Sequence, residues 1–225
     1  MINYPSLTSV LYEKLSKSGL KFTTDGYPAI PTEMLLRRFD DDVEMYPISH
    51  RHQAKKPNKT ILCWYENDEL LHRHINRLDD LLWEFREFYA VAGVDLSPCV
   101  NSDLLQQKSA ILLSQLITAY MALNGIRILA NFRTGSFETI NSLNGYPLGI
   151  CYAVGTLGCS KNKVKHSMEL MRAKLFNTCP SKLLIYGPLD EPLRMLLNEF
   201  AIPFVAITDF KTRCFLSRQE VTYVR

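Results

Sequence analysis

The sequence lacks the close cysteine pairs from which metal knuckles and redox motifs are built. Its six cysteines, Cys63, Cys99, Cys151, Cys159, Cys179 and Cys214, are scattered, with none within four residues of another. Neither CxxC nor zinc-ribbon spacing is therefore present. A long hydrophobic run is missing as well. The longest apolar stretch, Ala110 to Leu123, is interrupted by Ser114, Gln115 and Thr118 and falls short of the ~20 residues that a membrane span needs. The chain has little charge of one sign: a net +3 over 225 residues does not by itself imply a polyanionic partner, so any such claim rests on local clusters. Internal repeats and low-complexity segments are absent too. No secretory signal pattern is seen, and Cys63 and Cys151 lie inside apolar runs, where a thiol behaves as a small hydrophobe. The expectation is a soluble protein of a reducing cytoplasm, without a membrane partner.

What the sequence does have is a repeated alternation. The runs Thr60-Ile-Leu-Cys-Trp-Tyr65, Ile126-Arg-Ile-Leu-Ala-Asn131, Leu148-Gly-Ile-Cys-Tyr-Ala-Val154, Lys182-Leu-Leu-Ile-Tyr186 and Pro203-Phe-Val-Ala-Ile207 read as buried strands, and Val94-Asp-Leu96 as a short sixth. Segments long enough for crossover helices separate them. This pattern predicts an α/β fold of alternating β/α units with a mostly parallel sheet, either an incomplete TIM-like (β/α) barrel or an open sheet. One or two further strands are expected in the stretch that ends at Val224.

Between the first and second runs, Leu71, Ile75, Leu78, Leu82, Phe85 and Tyr89 recur every three or four residues, which predicts one long helix capped by Asn67 and ended by Gly93. A second helix is expected from Ser102 or Asp103 to Leu123. Residues 61–225 are read as a single α/β domain, and residues 1–60 as a partly irregular N-terminal extension. In that extension Leu7, Leu11 and Leu15 mark a short helix and Thr32 caps another through Arg38. Residues 49–59 read as a polar connection.

In parallel sheets ligands gather at the carboxyl ends of the strands. The residues that stand there are Glu66, Asp68, Asp95, Ser97, Asn131, Arg133, Thr156, Tyr186 and Asp209. Glu66 and Asp95, carboxylates at neighbouring strand ends, are the candidate catalytic acid and base, or a metal-holding pair; the bland alternative is that strands simply leave the core through polar residues. The loop Gly155–Lys163 follows a strand, carries Gly155 and Gly158, and leads to Ser160 and Lys161 at a helix start. This arrangement suits a phosphate, although it is not the P-loop order. Lys161, Lys165 and Arg172 share a helix face that can meet a nucleic-acid backbone or simply be solvated. His50-Arg-His52 and His72-Arg-His74 resemble metal half-sites but lack the strand context, so they read as surface histidines and no metal site is assigned. Trp64, Tyr65, Trp83, Phe85, Phe88 and Tyr89 raise a base-stacking surface against ordinary core packing.

Four segments carry a resemblance: Val94-Asp-Leu-Ser-Pro98 with Asp103, Asn124 to Asn131, Ala153 to Asn162, and Lys182 to Gly187. In order and spacing they are similar to the bacterial and phage domain-of-unknown-function family numbered forty-four seventeen, over roughly Cys63 to Pro188. Where that family has an aspartate straight after Ser-Pro, this chain has Cys99. The resemblance implies a phage, prophage or plasmid setting, hence the cytoplasm of a host cell, and carries over no activity or cofactor. Taken together, the residues and the resemblance point to a mobile-element protein that binds a nucleotide or nucleic acid at its strand-end rim. The rival is a non-catalytic interaction protein that engages a host or replication protein through residues 1–60 and exposed aromatics.

Overall fold

A computed structural model describes residues 4–99, 101–156 and 168–223. Seven strands, β1 (Glu44–Pro47), β2 (Thr60–Cys63), β3 (Ala90–Ala92), β4 (Ile128–Asn131), β5 (Cys151–Gly155), β6 (Lys182–Tyr186) and β7 (Phe204–Ile207), pair in chain order, every neighbour parallel. The helices are α1 (Tyr4–Lys17), α2 (Asp68–Ile75), α3 (Leu78–Phe85), α4 (Leu104–Leu123), α5 (Met168–Thr178), α6 (Glu191–Glu199) and α7 (Phe210–Tyr223). Two of the connections, β1 to β2 and β4 to β5, use 3-10 turns in place of a helix.

Side-chain alternation along the strands sorts the apolar residues into two clusters, the arrangement expected of a curled sheet. Met45, Ile61, Cys63, Ala90, Ala92, Leu129, Cys151, Ala153, Leu184 and Tyr186 fill the inside. Leu62, Trp64, Val91, Ile128, Ala130, Tyr152, Leu183 and Ile185 face outward against the helices. The inside is narrow enough for the rings of Tyr65, just past β2, and Tyr186, at the end of β6, to stack across it at 5.6 Å. The sheet is thus a nearly closed barrel, the first of the two architectures the alternation allowed. Its remaining gap lies between the two edge strands β1 and β7, and α7 bridges it. There Arg213 donates to the Met45 carbonyl and lies over the rings of Tyr46 and Phe210.

Residues 4–60 are packed into this fold. β1 lies within them, and Ile48–Gln53 and Pro57–Lys59 are 3-10 turns, so the connection expected at 49–59 is ordered structure. In α1, Leu11 and Leu15 are buried against α4. Past a 3-10 turn at Thr32–Met34 the chain runs extended, not helical, across the amino ends of three strands. Leu36 N–H donates to the Ile128 carbonyl, Cys151 N–H to the Leu36 carbonyl, and Lys182 Nζ to the Phe39 carbonyl (2.8, 2.8 and 2.9 Å). Leu36, Phe39 and Val43 fill the barrel from below, which leaves the carboxyl end of the strands as the place for a site.

Three further expectations are corrected. The long helix breaks at Asn76–Arg77 into α2 and α3 and ends at Phe85; Leu71, Ile75, Leu78, Leu82 and Phe85 are buried as the spacing requires, and Tyr89 lies past the helix, half-buried. The third strand is Ala90–Ala92, not Val94–Leu96: the two alanines have weak strand preference, but β2 and β4 supply hydrogen-bond partners on both sides. The C-terminal stretch is helix α7 rather than strand. Among the described residues no helix is long and apolar enough to cross a membrane.

Candidate functional site

The polar interruptions of α4 explain how the carboxyl end is built. Thr118 Oγ1 accepts from Val94 N–H at 3.0 Å and Ser114 Oγ from Leu96 N–H at 3.2 Å. The β3 exit loop is therefore anchored on both sides of Asp95, whose side chain is only 11% exposed. Asn131, at the end of β4, donates through Nδ2 to Asp95 Oδ1 (3.1 Å) and to the carbonyls of Gly93 and Val94. Arg133 Nε lies 3.7 Å from the same Asp95 oxygen, and its side chain keeps 32% exposure. Tyr65 donates a long hydrogen bond, 3.4 Å, to Asn131 Oδ1. Removal of water around the Tyr65 hydroxyl drives its pKa well above the ordinary value; nearby Asp95 adds to this and Arg133 opposes it.

Tyr65 also links this cluster to the far side of the mouth. It stacks on Tyr186, whose hydroxyl accepts from Phe210 N–H at 2.8 Å, and Phe210 in turn carries the ring of His50 at 4.2 Å. The floor of the mouth is thus aromatic, with Asp95 and Arg133 on one side and His50 on the other.

Glu66 and Asp95, proposed from sequence as a pair, enter separate networks. β2 ends at Cys63; past it Trp64 packs in the outer cluster and Tyr65 against the inner one, and Glu66 closes a tight turn, its N–H donating to the Trp64 carbonyl at 2.8 Å. Glu66, with its side chain 5% exposed, accepts from Ser49 N–H at 3.2 Å and from Ser49 Oγ, and lies 3.8 Å from His74 Nε2. His74 has its pKa lowered, first by burial, with Glu66 opposing. His50, His72 and His74 are half-buried and so are not the surface histidines expected, and His52 alone of the four is exposed. Among the described residues no three of His, Cys, Asp or Glu gather to hold a metal ion.

The other expected residues separate by role. Ser97 Oγ donates to Asp68 Oδ1 at 3.4 Å, and Thr156 Oγ1 to the Tyr186 carbonyl at 3.2 Å. Asp209 caps α7, accepting from both the N–H and the hydroxyl of Thr212. Gly158, Ser160, Lys161 and Lys165 lie outside the described residues. Arg172 is paired with Glu199 through both terminal nitrogens, and Lys174, on the same helix, is buried and donates to the Phe132 carbonyl at 3.0 Å.

Gly155 ends β5 against Tyr65, where a Cβ would come within 2.9 Å of the phenol ring. Glycine there makes room for a ring wedged against Tyr186, with or without an anion. Gly155→Ala is therefore expected to destabilise the ligand-free protein by about 1–3 kcal/mol, the usual cost of overpacking, measured by urea denaturation. Unchanged stability would mean that the ring moves freely and that glycine is kept for another reason.

Ser49, His50 and Tyr65 were absent from the strand-end candidates. The signal for Ser49 and His50 was their position just after Pro47, which is visible only once Glu44–Pro47 is recognised as a strand. Compared with known proteins, the chain matches no family model, no curated protein and no solved structure.

Proposed function

We propose that the protein binds a compact phosphate-bearing ligand, a nucleotide or a nucleic-acid end, at the carboxyl rim of the barrel. The observation that carries this reading is the convergence of Arg133, Asp95 and Asn131 beside stacked aromatic rings at the carboxyl end of the strands, while Leu36, Phe39 and Val43 fill the other end. A guanidinium beside Asp95 with about a third of its side chain exposed presents a positive charge that a phosphate can approach from solvent. The sequence runs from Thr156, at this rim, directly into Gly158, Ser160 and Lys161, which the same reading assigns to the anion. Arg172 and Lys174 are engaged within the protein, and this favours a small ligand over a polymer laid along α5. The mobile-element setting, and with it a host-cell cytoplasm, rests on the resemblance alone.

Calorimetry and thermal shift with nucleoside triphosphates and short DNA and RNA test the reading. A ligand at 100 times its Kd adds about 2.7 kcal/mol, which for a chain of this size is roughly 5–10 °C. Arg133→Ala and Lys161→Ala are each expected to weaken binding by about tenfold or more, or 1.4 kcal/mol, with little change in the melting temperature of the free protein. Silence across the panel, or unchanged affinity in both variants, overturns the reading.

A further inference from the structure

The Glu66 network ends on a group with unused chemistry. Ser49 Oγ lies 2.7 Å from His50 Nδ1 and also contacts Glu66 Oε1. A hydroxyl has one hydrogen, and an ionised carboxylate can only accept. The Ser49 hydrogen therefore goes to Glu66, and Ser49 Oγ accepts from His50 Nδ1–H. Which nitrogen of a histidine carries the proton is set by such a contact, so neutral His50 is held with its lone pair on Nε2.

The ring is also fixed in place, lying on Phe210, whose amide is tied to Tyr186 in the mouth floor. His50 is half-buried, and among the described residues Nε2 has no hydrogen-bond partner. Glu66 itself accepts from both the N–H and the hydroxyl of Ser49 and its side chain is almost wholly covered, so little of it is left to meet a ligand. Asp95 is already engaged by Asn131 and Arg133.

We infer that His50 is the proton-transfer residue of the barrel mouth, with Ser49 and Glu66 as positioning residues. Its substrate class is a ligand that presents a hydroxyl or a bound water at the rim. The proton passes from that O–H to Nε2, the electron pair stays on the oxygen, and Nδ1 keeps its hydrogen. The imidazolium that forms faces the Glu66 carboxylate through one hydroxyl, which lowers the cost of the charge as it develops. The assignment concerns the proton and holds whether or not the ligand carries phosphate.

The test uses the full chain without ligand. Long-range ¹⁵N–¹H spectra at about pH 8, above the usual histidine range, are expected to show His50 with its hydrogen on Nδ1. In Ser49→Ala that preference is expected to be lost. Acylation by diethyl pyrocarbonate, followed residue by residue by mass spectrometry, is expected to modify His50 at least as fast as exposed His52. The rate at His50 should fall several-fold in Ser49→Ala and in Glu66→Gln. A wild-type hydrogen on Nε2, or a His50 protected from acylation, overturns the assignment. The wild-type tautomer needs no variant, so misfolding of Glu66→Gln does not blunt the test. Neither readout depends on the nucleotide screen, so failure of the rim-ligand reading and failure of this one are told apart.

Discussion

A chain that begins at Glu44, lacking residues 1–43, is expected not to fold. Leu11, Leu15, Leu20, Ile30, Leu35, Leu36, Phe39 and Val43 are all buried, and each such side chain stabilises by about 1.5–3 kcal/mol relative to exposure. Several together exceed the roughly 5–15 kcal/mol by which a domain is stable. The loss is also polar. Leu36 supplies a backbone donor and an acceptor at the starts of β4 and β5, and Lys14 Nζ donates to Tyr120 Oη, which donates to Asp79, joining α1, α4 and α3. Circular dichroism and gel filtration should show no cooperative melt and an expanded or aggregated chain. A truncated protein that melts cooperatively within about 5 °C of the full chain, a change worth only 1–2 kcal/mol at this size, would mean that the plug is dispensable. The same argument bears on the interaction-protein reading: removing these residues cannot detach a binding arm cleanly, because they are structural.

Why some of this was legible and some not follows from particular residues. Runs such as Ile128–Asn131 and Lys182–Tyr186 are apolar on both faces, as buried parallel strands must be, and they stood out. Glu44–Pro47 did not: it begins with a charge and ends in a proline, which an edge strand tolerates and a central strand does not. Ala90–Ala92 merged with the helix before it because alanine carries no period. The site divided along the same line. Asp95, Asn131 and Arg133 follow strands or exits that the apolar runs mark, whereas Ser49 and His50 follow Glu44–Pro47, which those runs do not mark. Glu66 and Asp95 enter separate networks for a different reason. β2 ends at Cys63 and the chain turns at Tyr65, with Glu66 N–H donating to the Trp64 carbonyl, so the direction Glu66 takes is set by a turn that the alternation of the strand does not carry.

The Asp95–Asn131 contact predicts a second large effect. Asn131→Asp changes almost no volume, yet it replaces the one donor that serves Asp95 and the carbonyls of Gly93 and Val94. Residue 131 is 7% exposed, so an ionised carboxylate there would face another carboxylate and two carbonyl oxygens with little water to screen them. Breaking a buried charged contact in this way costs about 3–5 kcal/mol at neutral pH. Like charges and burial both raise the pKa of the new group above the ~3.9 of an unfolded aspartate. The penalty is then fully present above that raised folded pKa and disappears as pH falls toward the unfolded value, because the protonated acid regains an O–H donor for Asp95. Urea denaturation of both proteins between about pH 7.5 and pH 4.5, spanning the expected window, should show the difference between variant and wild type shrinking on acidification. A difference that is small at neutral pH, or one that does not change with pH, would mean that Asn131 does not hold Asp95 in solution. In that case the arrangement of Asp95 beside Arg133, on which the rim site depends, would have lost its support.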